Sequence, residues 1–361
     1  MPGTMTWVGL DVHARSVHAA AIDTMTGELS RARFAAIEDA VPWLSGLPGP
    51  VRAAYEAGPT GFGFYRLAQA AGIGGIEVIA PGKTPRGPSD RVKTDRRDAE
   101  LLARLLLAGS LTAIKVPDPE VEAARELTRL HDACRRDLMN ARQRVSKMLL
   151  LHGLVYPKDN TWTQEHRRWL SRQQLPEPVS DLVLADLIAC VDGLTARKQQ
   201  IATRVSELAT DPAWWPTVSR LRAFRGIDTL TAFTIHLELG ADWERFPRAK
   251  AVPSWLGLTP SLTQSGESSR SGAITKTGST LARRLLVEAA WHQARPPRLG
   301  ATLRNRQVGQ PDHVLQIVNR CQQRLFKVHH RMRARNKPGN VITIAVAREL
   351  ACFLWAAATA P

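Results

Sequence analysis

Asp95 and Asp98 open an apolar helical stripe, Leu101, Leu102, Leu105 and Leu106, in the stretch KTDRRDAELLARLLLAG that runs from Lys93 to Gly109. Their spacing puts both carboxylates on one helix face. They repel each other there unless positive charge lies between them. Acids in a first turn also suit the helix dipole, so the pair alone has two readings: a terminus effect, or half of a divalent-metal site built from carboxylate oxygens. Two more acids bear on the choice. Asp11 ends the run WVGLD and Glu56 ends VRAAYE. Each alone is an ordinary polar strand end. Together, Asp11, Glu56, Asp95 and Asp98 predict a cluster at one edge of a mixed sheet. Such a cluster holds two divalent ions, which activate an oxygen nucleophile and stabilise a leaving oxygen in phosphodiester cleavage.

A second stretch with chemistry is Pro260–Gly278, rich in Ser, Thr and Gly and unsuited to a regular helix. By composition it is also a flexible linker. It lies between two apolar segments, however, and Arg270, Lys276, Arg283 and Arg284 accompany it. Those cations suit a phosphate and a pentacoordinate transition state. A serine hydroxyl among them can attack phosphorus and form a phosphoserine. Ser265, Ser268, Ser269 and Ser271 are the candidates.

The elements that must position these groups follow from local pattern. Strands are expected at Trp7–Asp11, Ser16–Asp23, Leu29–Ala35, Val51–Glu56 and Glu77–Ala80, with short helices at Glu38–Leu44 and Phe64–Ala71. The order is β-β-β-α-β-α-β-α, with a Pro/Gly/basic loop, Lys83–Lys93, leading into the acid-bearing helix. Pro117 and Pro119 mark a boundary. Glu120–His152 and Asp181–Ala209 read as two long helices joined by a Trp/Arg-containing connector, with Gly193 a weak point in the second. A hairpin of this kind is an intramolecular coiled coil or a dimerising arm. Val218–Gly240 reads as helix, Gly-containing turn, helix. Its form is that of a phosphate-binding helix-hairpin-helix, although an acid, Asp228, stands at the third place of the turn. Ser279–Trp291, Val314–Arg335 and Val341–Trp355 are further helices.

The chain has 361 residues, room for two or three domains. Its formal charge of +16 is uneven. Residues 1–110 carry 12 basic and 11 acidic residues, whereas Ser265–Lys337 carries 15 basic and 3 acidic. A neutral first third and a basic remainder point to a polyanion, with nucleic acid the leading choice. No stretch reads as a signal peptide or a membrane span, since Arg348 and Glu349 interrupt the apolar tail, and no membrane partner is expected. Four widely spaced cysteines form no C-x-x-C pair and suggest neither a zinc site nor a disulfide framework. A reducing cytoplasm, in association with the bacterial nucleoid, is the expected location. The basic helix Val314–Arg335 offers Arg320, Arg324, Lys327 and Arg331 to phosphates, beside Arg270, Lys276, Arg283 and Arg284.

The order Asp, Glu, Asp-x-x-Asp resembles the RuvC-like branch of the ribonuclease-H fold. The segments GLDVHARSVHAAAID, YEAGPTGFGFYRLA and KTDRRDAELLARLL resemble the DEDD transposases of the insertion-sequence 110 family over residues 6–110. The likeness resumes near residue 217. There Gly257-Leu258-Thr259-Pro260, Ser265-Gly266, Ile274-Thr275-Lys276-Thr277-Gly278 and Arg283-Arg284-Leu285-Leu286 match the family's C-terminal pattern. The resemblance implies an α/β plus α protein in three parts. These are a RuvC-like metal-binding domain at 1–116, a helical coiled-coil arm at 117–212 and a mainly helical transposase domain at 213–361. It implies Asp11, Glu56, Asp95 and Asp98 as ligands of Mg²⁺, with Mn²⁺ an alternative, and Ser265 as the nucleophile. It also implies recombination guided by a structured noncoding RNA, the bridge RNA, that pairs with donor and target double-stranded DNA. Exchange between two duplexes needs at least two active sites, so a homodimer pairing into a homotetramer is expected. Three alternatives remain open at this stage. They are a RuvC-like structure-selective endonuclease, a DNA invertase of the pilin-gene type, which shares this domain pair, and a non-catalytic nucleic-acid-binding protein.

Overall fold

The computed structural model describes residues 5–85, 94–266 and 268–361. Lys93, the first residue of the acid-bearing stretch, and most of the loop expected at Lys83–Lys93 lie outside them. The chain divides into two compact units, Met1–Pro117 and Asp118–Pro361.

The first unit holds β1 (Thr6–His13), β2 (Ser16–Asp23), β3 (Leu29–Phe34), α1 (Ile37–Ser45), β4 (Val51–Glu56), α2 (Gly63–Ala70), β5 (Ile76–Ile79) and α3 (Asp95–Leu107). The sheet order is β3-β2-β1-β4-β5. The first three strands form an antiparallel meander, and β4 and β5 run parallel to β1. Strand alternation separates two faces. Val8 and Leu10 point to one, with Val17, Ala19, Ala53 and Tyr55, and are sealed by Ala40 and Leu44 of α1 and Phe64 and Ala68 of α2. The opposite face carries Trp7, Ala54 and Ile79, covered by Leu106 of α3. Gly9 belongs to this second face. A Cβ on it would stand 2.1 Å from the Ala99 carbonyl oxygen and 2.4 Å from the Ala103 nitrogen. The absence of a side chain at residue 9 is therefore what lets α3 lie on the sheet. Thr94 caps α3 by accepting a hydrogen bond from the Arg97 N–H at 3.4 Å.

One expectation is corrected here. Asp11 does not end its strand: β1 continues to His13, because pairing with β2 extends through Val12↔Val17 and His13↔Ser16. Glu56 does end β4.

The second unit begins with α4 (Pro119–Leu151), α5 (Gln164–Leu170) and α6 (Pro178–Leu208). Helices α4 and α6 pack antiparallel. Leu149 and Val145 share a cluster with Leu184 at one end, and Val121 and Ala124 share one with Val205 at the other. Gly193 is no weak point, since α6 runs through it without a break. The remainder comprises α7 (Trp215–Leu221), α8 (Thr229–Glu238), α9 (Ala251–Trp255), a hairpin of β6 (Pro260–Ser265) and β7 (Ser268–Ile274), then α10 (Thr280–Trp291), α11 (Ala301–Gln307), α12 (Asp312–Ala334) and α13 (Gly339–Ala358). Helix α13 is long and apolar enough to cross a membrane by length and composition alone. It lies instead within this unit's core, with Val346, Leu350 and Leu354 buried among residues of the neighbouring helices.

Candidate active site

The α3 face of the sheet gathers the polar groups. Asp11 and His13 sit two residues apart on β1 and so share that face with Gly9. His18 is paired with Asp11 across β2. Tyr55 is the β4 partner of Leu10, so the next residue, Glu56, falls beside Asp11. The first turn of α3 adds Asp95 and Asp98. His13 Nε2 lies 3.2 Å from Asp11 Oδ2 and 3.8 Å from Asp95 Oδ1, and His18 Nε2 lies 3.7 Å from Asp95 Oδ2. One ligand atom from each of Asp11, His13 and Asp95 falls within 4.8 Å of the others.

The charge balance at this cluster is strained. Asp11 is raised above its ordinary value, first by burial and then by the charges of Asp95 and Asp98, against the opposing pull of His13. A cation between these oxygens would relieve that repulsion, so the donor set fits a divalent ion. The oxygen-rich composition suits Mg²⁺ or Mn²⁺. His13 and His18 were not singled out by sequence reasoning. The signal for His13 was its spacing of two from an acid in a strand. For His18 it was the short turn at Ala14-Arg15, which sets it opposite Asp11.

The Ser/Gly stretch is an exposed two-stranded hairpin. Its register pairs Ser265 with Ser268, Gln264 with Ser269, Thr263 with Arg270 and Leu262 with Ser271. Paired residues point to the same side and alternate along the strand. Ser265, Ser268 and Arg270 therefore share one face, while Ser269 and Ser271 occupy the other. Ser268 Oγ donates to the Ser265 carbonyl at 3.1 Å.

The base of the hairpin is interlocked. Gly257 (φ +66) would place a Cβ 2.2 Å from the Thr277 nitrogen, and Gly278 (φ +68) would place one 2.2 Å from the Trp255 carbonyl oxygen. Both positions need the left-handed region and an absent side chain. Lys276 donates its backbone N–H to Gly257 at 3.1 Å. Arg283 reaches across, donating through Nη1 to the carbonyls of Leu256 and Thr277, each at 2.8 Å, and through Nη2 to Thr280 Oγ1 at 3.2 Å.

The remaining cations divide into two groups. Arg284 is spent on Asp132 and Glu288, both at 2.6 Å. Arg324 forms a fork on Glu349 at 2.6 and 3.1 Å. Arg270, Lys276, Arg320, Lys327 and Arg331 are exposed. Positions 320, 324, 327 and 331 share one face of α12. Between α7 and α8, Asp228 caps α8, its Oδ1 accepting from the Thr231 N–H at 2.8 Å. The acid at the third place of that turn is thus a cap.

Two family models match the chain. The DEDD transposase family of IS110 elements matches residues 8–153, which span the four acids, and the family described as "Transposase IS116/IS110/IS902 family" matches residues 218–303, which span the hairpin. The chain is 37% identical to "Putative transposase y4qE" of Sinorhizobium fredii, over 98% of this chain and 88% of that one. It is 28% identical to the transposase for insertion sequence element IS1533 of Leptospira borgpetersenii, over 92% and 97%. It is 24% identical to the transposase for insertion sequence element IS1328 of Yersinia enterocolitica, over 79% and 83%. With both halves matched and a close relative aligned along almost its whole length, the chain belongs to the IS110 family of insertion-sequence transposases.

Proposed function

We propose that this DNA-cleaving and rejoining enzyme works through two motifs: the carboxylates Asp11, Glu56, Asp95 and Asp98, and the Ser265 hydroxyl. The observation that carries the reading is the charge-strained group of Asp11, His13 and Asp95 at the first turn of α3. A divalent ion held there, Mg²⁺ first and Mn²⁺ second, would supply charge neutralisation for phosphodiester chemistry. The protein's own groups do the rest. Asp11 and Glu56 from the sheet and Asp95 and Asp98 from α3 would hold that ion. Ser265 Oγ forms a bond to phosphorus as the bond from phosphorus to the leaving deoxyribose oxygen breaks. The serine proton passes to a base, and the leaving oxygen takes up a proton. Arg270 shares Ser265's face of the hairpin and neutralises the developing negative charge. The phosphoserine then stores the bond energy for rejoining.

Recognition rests on the exposed cations Arg270, Lys276, Arg320, Lys327 and Arg331, while Arg283, Arg284 and Arg324 serve chiefly to hold the protein's own elements. Donor and target duplexes are selected by a structured noncoding bridge RNA, and a homodimer pairs into a tetramer so that each exchanged strand meets a site. RNA copurifying with the protein, once sequenced, tests the guidance: a discrete structured species with loops matching the element ends supports it, and random fragments oppose it.

A second reading is a RuvC-like endonuclease in which the carboxylate site activates water and the hairpin only binds DNA. What favours it is the hairpin's exposure: among the described residues no hydrogen bond from a basic group to Ser265 Oγ is present. Recombination by Ser265→Ala and Asp11→Ala separates the two. Loss in both supports a reaction that needs both motifs. Loss in Asp11→Ala alone supports the endonuclease. A DNA invertase would use the same site on inverted rather than separate ends.

A further inference from the structure

The second unit contains a basic cavity that neither motif uses. It has a volume of about 790 Å³ and lies between the α7–α8 turn, the end of α10 and the start of α11. Four arginines line it: Arg225, Arg295, Arg298 and Arg306. The lining contains one acid, Asp228, and that carboxylate is committed to capping α8.

The cavity is built from specific contacts. Arg225 Nη1 donates to the carbonyls of Arg295 and Pro296, both at 2.9 Å, and Nη2 donates to the Arg298 carbonyl at 2.7 Å. One guanidinium thus fixes the segment that carries the side chains of Arg295 and Arg298, which are exposed. Gln293 Nε2 closes the loop by donating to the Arg225 carbonyl at 3.0 Å. Gly226 (φ +81) allows the close approach, since a Cβ there would lie 2.8 Å from the Ala289 carbonyl oxygen. Arg306 donates to the Ile227 carbonyl from the other side. Burial, and after it the charge of Arg295, lowers the Arg225 guanidinium below its ordinary value. Four arginines thus meet one acid, Asp228, whose charge acts on Arg306.

We propose that this cavity is a docking site for the sugar–phosphate backbone of a single DNA strand, separate from the carboxylate cluster and the serine hairpin. Its chemistry selects the ligand. Guanidinium forks match phosphate oxygens. Leu303 is the one branched apolar side chain in the lining, so an apolar peptide finds no anchor. An open depression of this volume is on the scale of one or two nucleotides, smaller than the width of a duplex. A strand freed from its duplex during cleavage is the natural occupant, and this rests only on the family's DNA-cleaving and rejoining activity.

The test uses the full chain with a fluorescent single-stranded DNA oligonucleotide, in EDTA so that the carboxylate site plays no part. Affinity is measured across a salt series for the wild type, for Arg295→Ala/Arg298→Ala, and for a control of equal charge loss on α6, Arg197→Ala/Arg204→Ala. Each single-strand phosphate contact contributes about 0.7 to the slope of log K against log salt. The rim double variant is expected to bind at least tenfold more weakly, with the slope reduced by about 1.4, while the control keeps the wild-type slope. All three proteins are expected to show the same circular dichroism and melting temperature. An unchanged slope in the rim variant, or an equal loss in the control, overturns the proposal. A loss seen only with duplex DNA or only with single-stranded RNA of the same sequence overturns it in favour of those ligands. Displacement of the oligonucleotide by millimolar inorganic phosphate from the wild type, but not from the rim variant, overturns it in favour of a simple anion site.

Discussion

Gly9 and Ala99 set the geometry of the carboxylate cluster: a Cβ on Gly9 would stand 2.1 Å from the Ala99 carbonyl oxygen, inside van der Waals contact. The first turn of α3, with Asp95 and Asp98, is thereby held against the strand that carries Asp11 two residues further on. A side chain at residue 9 must push the helix away, and overpacking of this kind costs about 1–3 kcal/mol. Gly9→Val is expected to lower the melting temperature and to abolish DNA cleavage with all four acids still present. A variant that cleaves at the wild-type rate would show that close contact between α3 and β1 is not needed.

Asp11 illustrates a conflict between stability and chemistry. Its pKa is raised in the folded chain, by burial first. The folded state therefore binds a proton more tightly than the unfolded state, so this group's contribution to stability improves as pH falls through its folded pKa and is unfavourable at neutral pH. Asp11→Asn is expected to raise the melting temperature at pH 7.5 while eliminating cleavage. Added Mg²⁺ should stabilise the wild type and not the variant. A lower melting temperature in Asp11→Asn at that pH would contradict the charge-strain account.

Arg283 clamps the base of the serine hairpin rather than meeting solvent. Arg283→Ala removes the donors to the Leu256 and Thr277 carbonyls, at a cost of about 1–3 kcal/mol. Recombination is expected to fall steeply, whereas Mg²⁺-induced stabilisation persists. Arg283→Lys should recover little, because one ammonium cannot reproduce the fork. Full rescue by lysine, measured as recombination frequency, would instead mean that charge alone matters there.

His236 supplies a pH signature of the second unit's core. Trp243 Nε1 donates to His236 Nδ1 at 2.9 Å, which leaves the ring proton on Nε2. Burial holds this imidazole down at about 4, against 6.5 in the ordinary case. Protons therefore bind the unfolded chain first as pH falls. The stability contribution is complete above pH 6.5 and is lost progressively between 6.5 and 4, by up to about 3 kcal/mol. His236→Gln keeps an acceptor for Trp243 and should flatten the melting-temperature profile across that window. An unchanged profile would assign the acid sensitivity to other groups.

Much of this arrangement was legible from local pattern. The strands Ser16–Asp23 and Val51–Glu56 have the bounds that local pattern predicted, because their apolar runs are buried and their ends are polar. Less visible was anything set by a partner strand or by a neighbouring element. The extension of β1 past Asp11 depends on pairing with β2, and the presence of His18 at the cluster depends on that same register. The internal ion pairs of Arg284 and Arg324 were hidden because their acids, Asp132 and Glu349, are distant in sequence. In the sequence a basic residue committed to a distant acid looks the same as one waiting for phosphate. The glycines of the hairpin base stood out as motif letters, but their purpose, a backbone interlock of Gly257 with Thr277 and of Gly278 with Trp255, is a matter of tertiary contact.

The central claim is a covalent step at Ser265 that depends on the carboxylates. Its most direct measurement is mass spectrometry of the peptide carrying Ser265, taken from a quenched cleavage reaction with element-end DNA, the proposed bridge RNA and Mg²⁺. The account predicts a nucleotide-bearing phosphodiester on Ser265, absent from Asp11→Ala and from Ser265→Ala. Efficient cleavage with no adduct, or an adduct on Ser268, Ser269 or Ser271, would contradict it.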